Sequence, residues 1–129
     1  MSDSGMSVPL SEVKADLFKA LAHPARIRIL EVLSEGEQSV GGIQPLVGIE
    51  SSHLSQQLGV LRRAGVVVSR KEGSSVIYSV KDPLVVELLA VAKRFLLTSL
   101  TETRSLLDDL RASVGGTPRA GAGGRAFRR

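Results

Sequence analysis

Between Ser51 and Gln57 the chain sets hydroxyl, imidazole and amide side chains in close succession: Ser51, Ser52, His53, Ser55, Gln56 and Gln57. Nothing beside these serines activates a nucleophile. Short hydroxyls and amides instead suit hydrogen bonding to base edges and phosphates, with Gln able to pair with adenine and Ser permissive. Ser51 and Ser52 have a second reading as helix caps. Arg62, Arg63, Arg70 and Lys71 follow, and no carboxylate falls between Ser51 and Lys71. These four cations, with Ser74 and Ser75 beyond them, are candidates for phosphate contacts, which set register and make affinity salt-dependent. For Arg62 or Arg63 the alternative is an ion pair within the fold.

Other chemistry finds no support. The chain has no cysteine, so disulfides, thiolate metal sites and Cys nucleophiles are excluded. Its two histidines, His23 and His53, lie far apart in the sequence, and His23 precedes a proline, which suits a structural role. There is no Gly-rich phosphate loop and no His-Asp-Ser constellation, so no catalytic residue, cofactor or metal is expected.

The elements that must position these residues follow from hydrophobic period. Val13, Leu17, Phe18, Ala20 and Leu21 recur at three-to-four-residue spacing from Ser11 onward, which predicts a first helix. His23-Pro24 ends it and opens a second, with Ile27, Ile29, Leu30, Val32 and Leu33 as its apolar side and Glu35-Gly36 as its end. Ser39 is a plausible N-cap for a short third helix to about Val47, despite Gly41, Gly42 and Pro45, and Gly48 closes it. Leu54, Leu58 and Leu61 place the Ser51–Ala64 segment on a fourth helix, stopped by Gly65. The period then changes. Val66–Val68 and Val76–Val80 are β-branched runs around a Gly73-containing turn, the pattern of a β-hairpin. Asp82-Pro83 caps a long last helix over 83–111.

The expected architecture is therefore mainly α (α+β): four helices, a hairpin wing and a fifth helix, the order of a winged helix-turn-helix. Residues 1–10 are expected to be a disordered N-terminus, 11–111 the DNA-binding and dimerisation domain, and 112–129 a disordered basic tail. Length and composition agree. The 129 residues are 43% apolar but only 3% aromatic, so the core must come from Leu, Val, Ile and Ala. Such a small domain buries little surface alone, and the last helix is too apolar for one subunit. A homodimer through the first and last helices is expected, with Leu17, Leu88, Phe95 and Leu96 at its interface; packing within one subunit is the alternative. The net charge of +4 is unevenly placed: five arginines and no acid lie from Arg111 onward, whereas 1–110 carries 12 basic against 13 acidic residues. A basic stretch on a nearly neutral body suits a polyanionic partner. Met1–Pro9 has no signal-peptide pattern, and no apolar run spans a bilayer, so a cytoplasmic location without membrane contact is expected.

Three segments resemble a known family. Ala20-Leu21-Ala22-His23-Pro24-Ala25-Arg26-Ile27-Arg28-Ile29-Leu30 is similar to the "LA-x-P-x-R-x-x-IL" signature of ArsR/SmtB-type bacterial repressors. Ser55 through Val67 resembles that family's "S-x-H-L-x-x-L-R-x-A-G-L-V", and Arg70-Lys71-Glu72-Gly73 through Ile77-Tyr78 its wing. The resemblance covers roughly 11–100 in order and implies a homodimeric winged-helix repressor that leaves its promoter operator on binding an inducer. Two departures stand out. The third helix reads Ser39-Val40-Gly41-Gly42-Ile43 where metal-sensing members carry a Cys-rich motif, and 83–111 contains no His. A non-metal inducer, or none, is expected. Gln57 also stands where many members have His.

The leading reading is a sequence-specific repressor that binds double-stranded DNA at a palindromic operator. Two other readings share these features: a winged-helix module that docks on protein, and a low-specificity DNA-coating protein that uses the basic tail.

Overall fold

The computed structural model describes residues 8–115. Helices α1 (Leu10–Leu21), α2 (Pro24–Ser34), α3 (Val40–Val47) and α4 (Ser51–Arg63) precede a hairpin of β2 (Val67–Glu72) and β3 (Ser75–Val80), and α5 (Pro83–Gly115) follows. A two-residue strand β1 (Gln38–Ser39) completes an antiparallel sheet of order β1-β3-β2. The sequence reading lacks this strand, because two residues cannot display an alternation. Its register is fixed by Gln38 opposite Tyr78 and Ser39 opposite Ile77.

Local chemistry accounts for the boundaries. His23 caps α2: its Nδ1 accepts the Ala25 N–H at 3.0 Å, and Pro24 occupies the first turn, where its missing N–H costs nothing. Ser39 caps α3 by accepting the Gly42 N–H at 3.1 Å. Gly48 ends α3 with φ 78°, in the left-handed region that glycine enters without a Cβ penalty. Asp82 Oδ1 accepts the Leu84 N–H at 2.9 Å and so opens α5.

The core of the winged unit is aliphatic. Ile29 and Leu30 of α2, Ile43 of α3, Leu54, Leu58 and Leu61 of α4, and Val67 of β2 are its fully buried large side chains. From α1 only Ala20 and Leu21 are buried, while Val13 and Phe18 of its apolar set are exposed.

The chain divides into two compact units between Glu87 and Leu88, within α5. In the second unit α5 runs on as one helix, with Phe95, Leu96, Leu97 and Leu100 all more than half exposed. It continues through 112–115, so the first four residues of the expected basic tail are helical. At the other end, helix begins at Leu10, the last residue of the expected disordered N-terminus. The remainder of both expected disordered segments lies outside the described residues, apart from Val8 and Pro9, which precede α1. Among the described residues no helix is long and apolar enough to cross a membrane.

Candidate nucleic-acid interface

Helix α4 has one anchored face and one open face. Leu54, Leu58 and Leu61 are wholly buried, fixing rotation about the helix axis. Ser52, Ser55, Gln56, Arg62 and Arg63 are exposed on the rest of its surface. Ser51 is exposed as well, but neither it nor Ser52 caps the helix. The N-cap is Glu50, which makes no side-chain cap bond, and Ser52 Oγ lies 3.4 Å from Glu50 Oε1. Both hydroxyls are therefore surface groups at the N-terminal turn, the end of a recognition helix that approaches bases.

Gln57 is a correction to the expected DNA-contacting set. It is 7% exposed, because position 57 falls three residues after Leu54 and four before Leu61, inside the buried stripe. A buried amide needs partners, and Arg26 Nη1 donates to Gln57 Oε1 at 2.8 Å. The same guanidinium donates from Nε to Ala20 O at 2.7 Å and from Nη2 to Lys19 O at 3.3 Å. Arg26 thus joins the last turn of α1 to α4. The residue lies within the signature segment, but its partner 31 positions away leaves no local trace in the sequence.

His53 is half-buried, and its ring stands edge-on to that of His23 at a centroid distance of 5.8 Å. The two histidines, distant in sequence, are thus neighbours. Among the described residues no group of three or more His, Asp or Glu side chains is placed to hold a metal ion.

Arg70 on the wing differs from the cations of α4. Arg70 forms a two-pronged ion pair with Glu37, Nη1 to Oε1 at 2.7 Å and Nη2 to Oε2 at 2.9 Å, and Nη2 also meets Glu72 Oε2 at 3.0 Å. The hydrogen bond from Arg70 holds the Glu37 carboxyl below its ordinary range, and the Arg70 guanidinium is correspondingly harder to deprotonate. The expected phosphate contact is thus already occupied by carboxylates, both of them outside the 51–71 stretch. Arg62, Arg63 and Lys71 make no ion pair among the described residues. Arg63 folds back along α4, its Nη1 only 3.1 Å from where a Cβ on Gly59 would sit. At the wing tip Gly73, with φ 65°, and Ser74 make the turn, and Glu72 pairs with Ser75. Lys71, Ser74 and Ser75 are exposed.

Residues 21–70 match the model of a helix-turn-helix domain family. The HTH-type transcriptional regulator Rv0081 of Mycobacterium tuberculosis is 55% identical over 112 residues, which cover 86% of this chain and 98% of that protein. Its crystal structure superposes with a TM-score of 0.69 at 57% identity, covering 75% of this chain and 98% of that one. The solution structure of Mb0332 from Mycobacterium bovis, a homodimeric winged helix-turn-helix DNA-binding domain and a possible ArsR-family regulator, gives a TM-score of 0.68 at 29% identity, covering 79% and 93%. This chain belongs to the ArsR/SmtB family of winged helix-turn-helix transcriptional regulators. In an ArsR/SmtB regulator α3 and α4 are the helix-turn-helix and β2–β3 is the wing. The family consists of DNA-binding regulators, not enzymes. A biofilm growth-associated repressor of Xylella fastidiosa is a further relative, 38% identical over 89 residues that cover 69% of this chain and 77% of that protein.

Proposed function

We propose that this ArsR/SmtB regulator represses transcription as a homodimer, each subunit setting α4 into the major groove of one half of a palindromic operator. The observation that carries this reading is the open face of α4. Ser51, Ser52, Ser55 and Gln56 lie exposed at its N-terminal half, and Arg62 and Arg63 at its end have no ion-pair partner among the described residues, on a helix clamped by three buried leucines. Serine and glutamine serve base edges; Arg62, Arg63, Lys71, Ser74 and Ser75 serve phosphates. His53, which packs against His23, presents only part of its ring.

Dimerisation is supported by the exposed apolar side chains of Phe18 on α1 and of Phe95 and Leu96 on α5, with Leu17 and Leu88 half-buried, and by the homodimeric state of Mb0332. Repression is supported by the relative from Xylella fastidiosa, itself a repressor. Two-fold symmetry sets the half-sites about one helical turn apart, ~34 Å. Without cysteine, and with no His on α5, we infer a non-metal signal and a cytoplasmic site of action.

The test is a titration of the full chain against its own upstream promoter and a scrambled duplex at several salt concentrations. The reading expects a preference of about a hundredfold or more, roughly 3 kcal/mol. Equal and steeply salt-dependent binding to both duplexes, with no preferred sequence recovered from a random duplex pool, would overturn it.

A further inference from the structure

The strongest feature that DNA reading leaves unused is the Arg26 junction. Three helices meet there through one side chain. Arg26 sits on α2; its Nε and Nη2 hold the carbonyls of Ala20 and Lys19 in the last turn of α1, and its Nη1 holds the buried Gln57 of α4. The last carbonyls of a helix have no partner within it; Lys19 O also takes the capping Ala22 N–H at 3.2 Å, so the guanidinium reinforces that carbonyl, satisfies Ala20 O and fixes where the helix ends. A guanidinium suits this task, because its donors are held in one rigid plane. When the end of α1 shifts, the plane must tilt or break a bond, and Gln57 is inside the core with no solvent to turn to.

We propose that Arg26 is a positioning residue for the recognition helix: it makes the seating of α4 depend on the last turn of α1, whose exposed Phe18 and Val13 face away from the core of their own subunit. The inference rests on the DNA-reading role of α4 for its consequence, but the linkage itself is a property of the free protein. Gln57 is then the receiver of that linkage, its amide oxygen the acceptor, and not a base contact. Gln56, its exposed neighbour, does the reading.

The linkage is measured by hydrogen exchange on the full chain without DNA. Lys19→Gly loosens the last turn of α1 at an exposed position and leaves the core packing intact. It is expected to speed exchange of the α4 amides 54–58 by about threefold or more in the native background, through local opening. In the Gln57→Leu background the same change is expected to leave those amides unmoved. Arg26→Lys, which keeps the charge but not the planar fork, serves as a second strut-breaking background if Gln57→Leu does not fold. Gln57→Glu, which keeps the acceptor oxygens, is expected to retain the coupling. An equal effect of Lys19→Gly with and without the strut would overturn the proposal, since α1 also packs directly on α4; so would no effect in either. In a second arm, Gln57→Leu is expected to lower the ratio of affinities for the preferred over the scrambled duplex about tenfold, and Gln57→Glu to preserve it. If the wild type prefers no duplex while the exchange coupling persists, the DNA-reading assignment fails and the linkage stands.

Discussion

Gln56 and Gln57 are chemically identical neighbours with opposite surroundings. The difference is the helical period, which turns 57 into the leucine stripe and 56 away from it. Reading residue type alone assigns both to DNA; counting three from Leu54 and four to Leu61 would have separated them. Replacing Gln56 by Ala should therefore weaken discrimination between preferred and scrambled duplexes by about 1–3 kcal/mol. Its unfolding free energy should stay within about 0.5 kcal/mol of wild type, as for an exposed site. A parallel duplex titration and urea denaturation decide this together. Arg70 teaches the converse: Glu72, two residues on, is a local partner, but Glu37, which takes both prongs of the guanidinium, is 33 residues away, and no local charge pattern announces it. The pair has a pH signature. The hydrogen bond from Arg70 keeps the Glu37 carboxyl below its unperturbed value of 4.5. A carboxyl with a depressed folded value contributes stability that is present above the unfolded value and lost as pH falls through the folded one. Thermal midpoints of wild type and Glu37→Gln should thus differ near neutral pH and converge as the pH falls below 4.5. A difference that stays constant down to low pH would contradict the assignment.

At the scale of elements, the sequence carried every long periodic segment and lost the short one. Helix α3 is the instructive case. Two glycines and Pro45 argue against it, yet it forms because both of its ends are specified, Ser39 at the start and Gly48 at the close. Strand β1 immediately before it was illegible, since two residues have no period and the partner β3 is distant in the chain. A Cβ on Gly42 would overlap only the far end of the Gln38 side chain, whose amide can swing aside. Ser39→Ala should cost about 1 kcal/mol by removing the cap, whereas Gly42→Ala should be neutral or stabilising, because the Gln38 amide can turn away and alanine is the better helix former. Urea midpoints of the two variants test this, and a markedly destabilised Gly42→Ala would show that the Gln38 side chain cannot give way. The wing was legible as a hairpin but drawn too loosely: the strands continue to Glu72 and restart at Ser75, leaving only Gly73 and Ser74 between them.

On the scale of the whole molecule, the question is what the apolar surface is for. Phe95, Leu96 and Leu100 stand exposed on α5, as does Phe18 on α1, where water would be expected to select polar side chains. The sequence already showed the surplus of leucine; it could not show that the subunit leaves it uncovered, because burial depends on which helices pack and not on their composition. If these residues are covered by a second copy, the two recognition helices bind as one unit, and the second half-site is engaged at high effective concentration. A charge in that surface then has two linked effects. Phe95→Glu should convert the chain to a monomer by sedimentation, because burying an unpaired carboxylate in an apolar interface costs several kcal/mol. It should also weaken operator binding about a hundredfold or more through the lost second half-site, while a duplex holding one half-site is bound as by wild type. That last control matters most. Loss of half-site binding too would mean that α4 itself had been disturbed, and a variant that stayed dimeric would place the interface elsewhere on the chain.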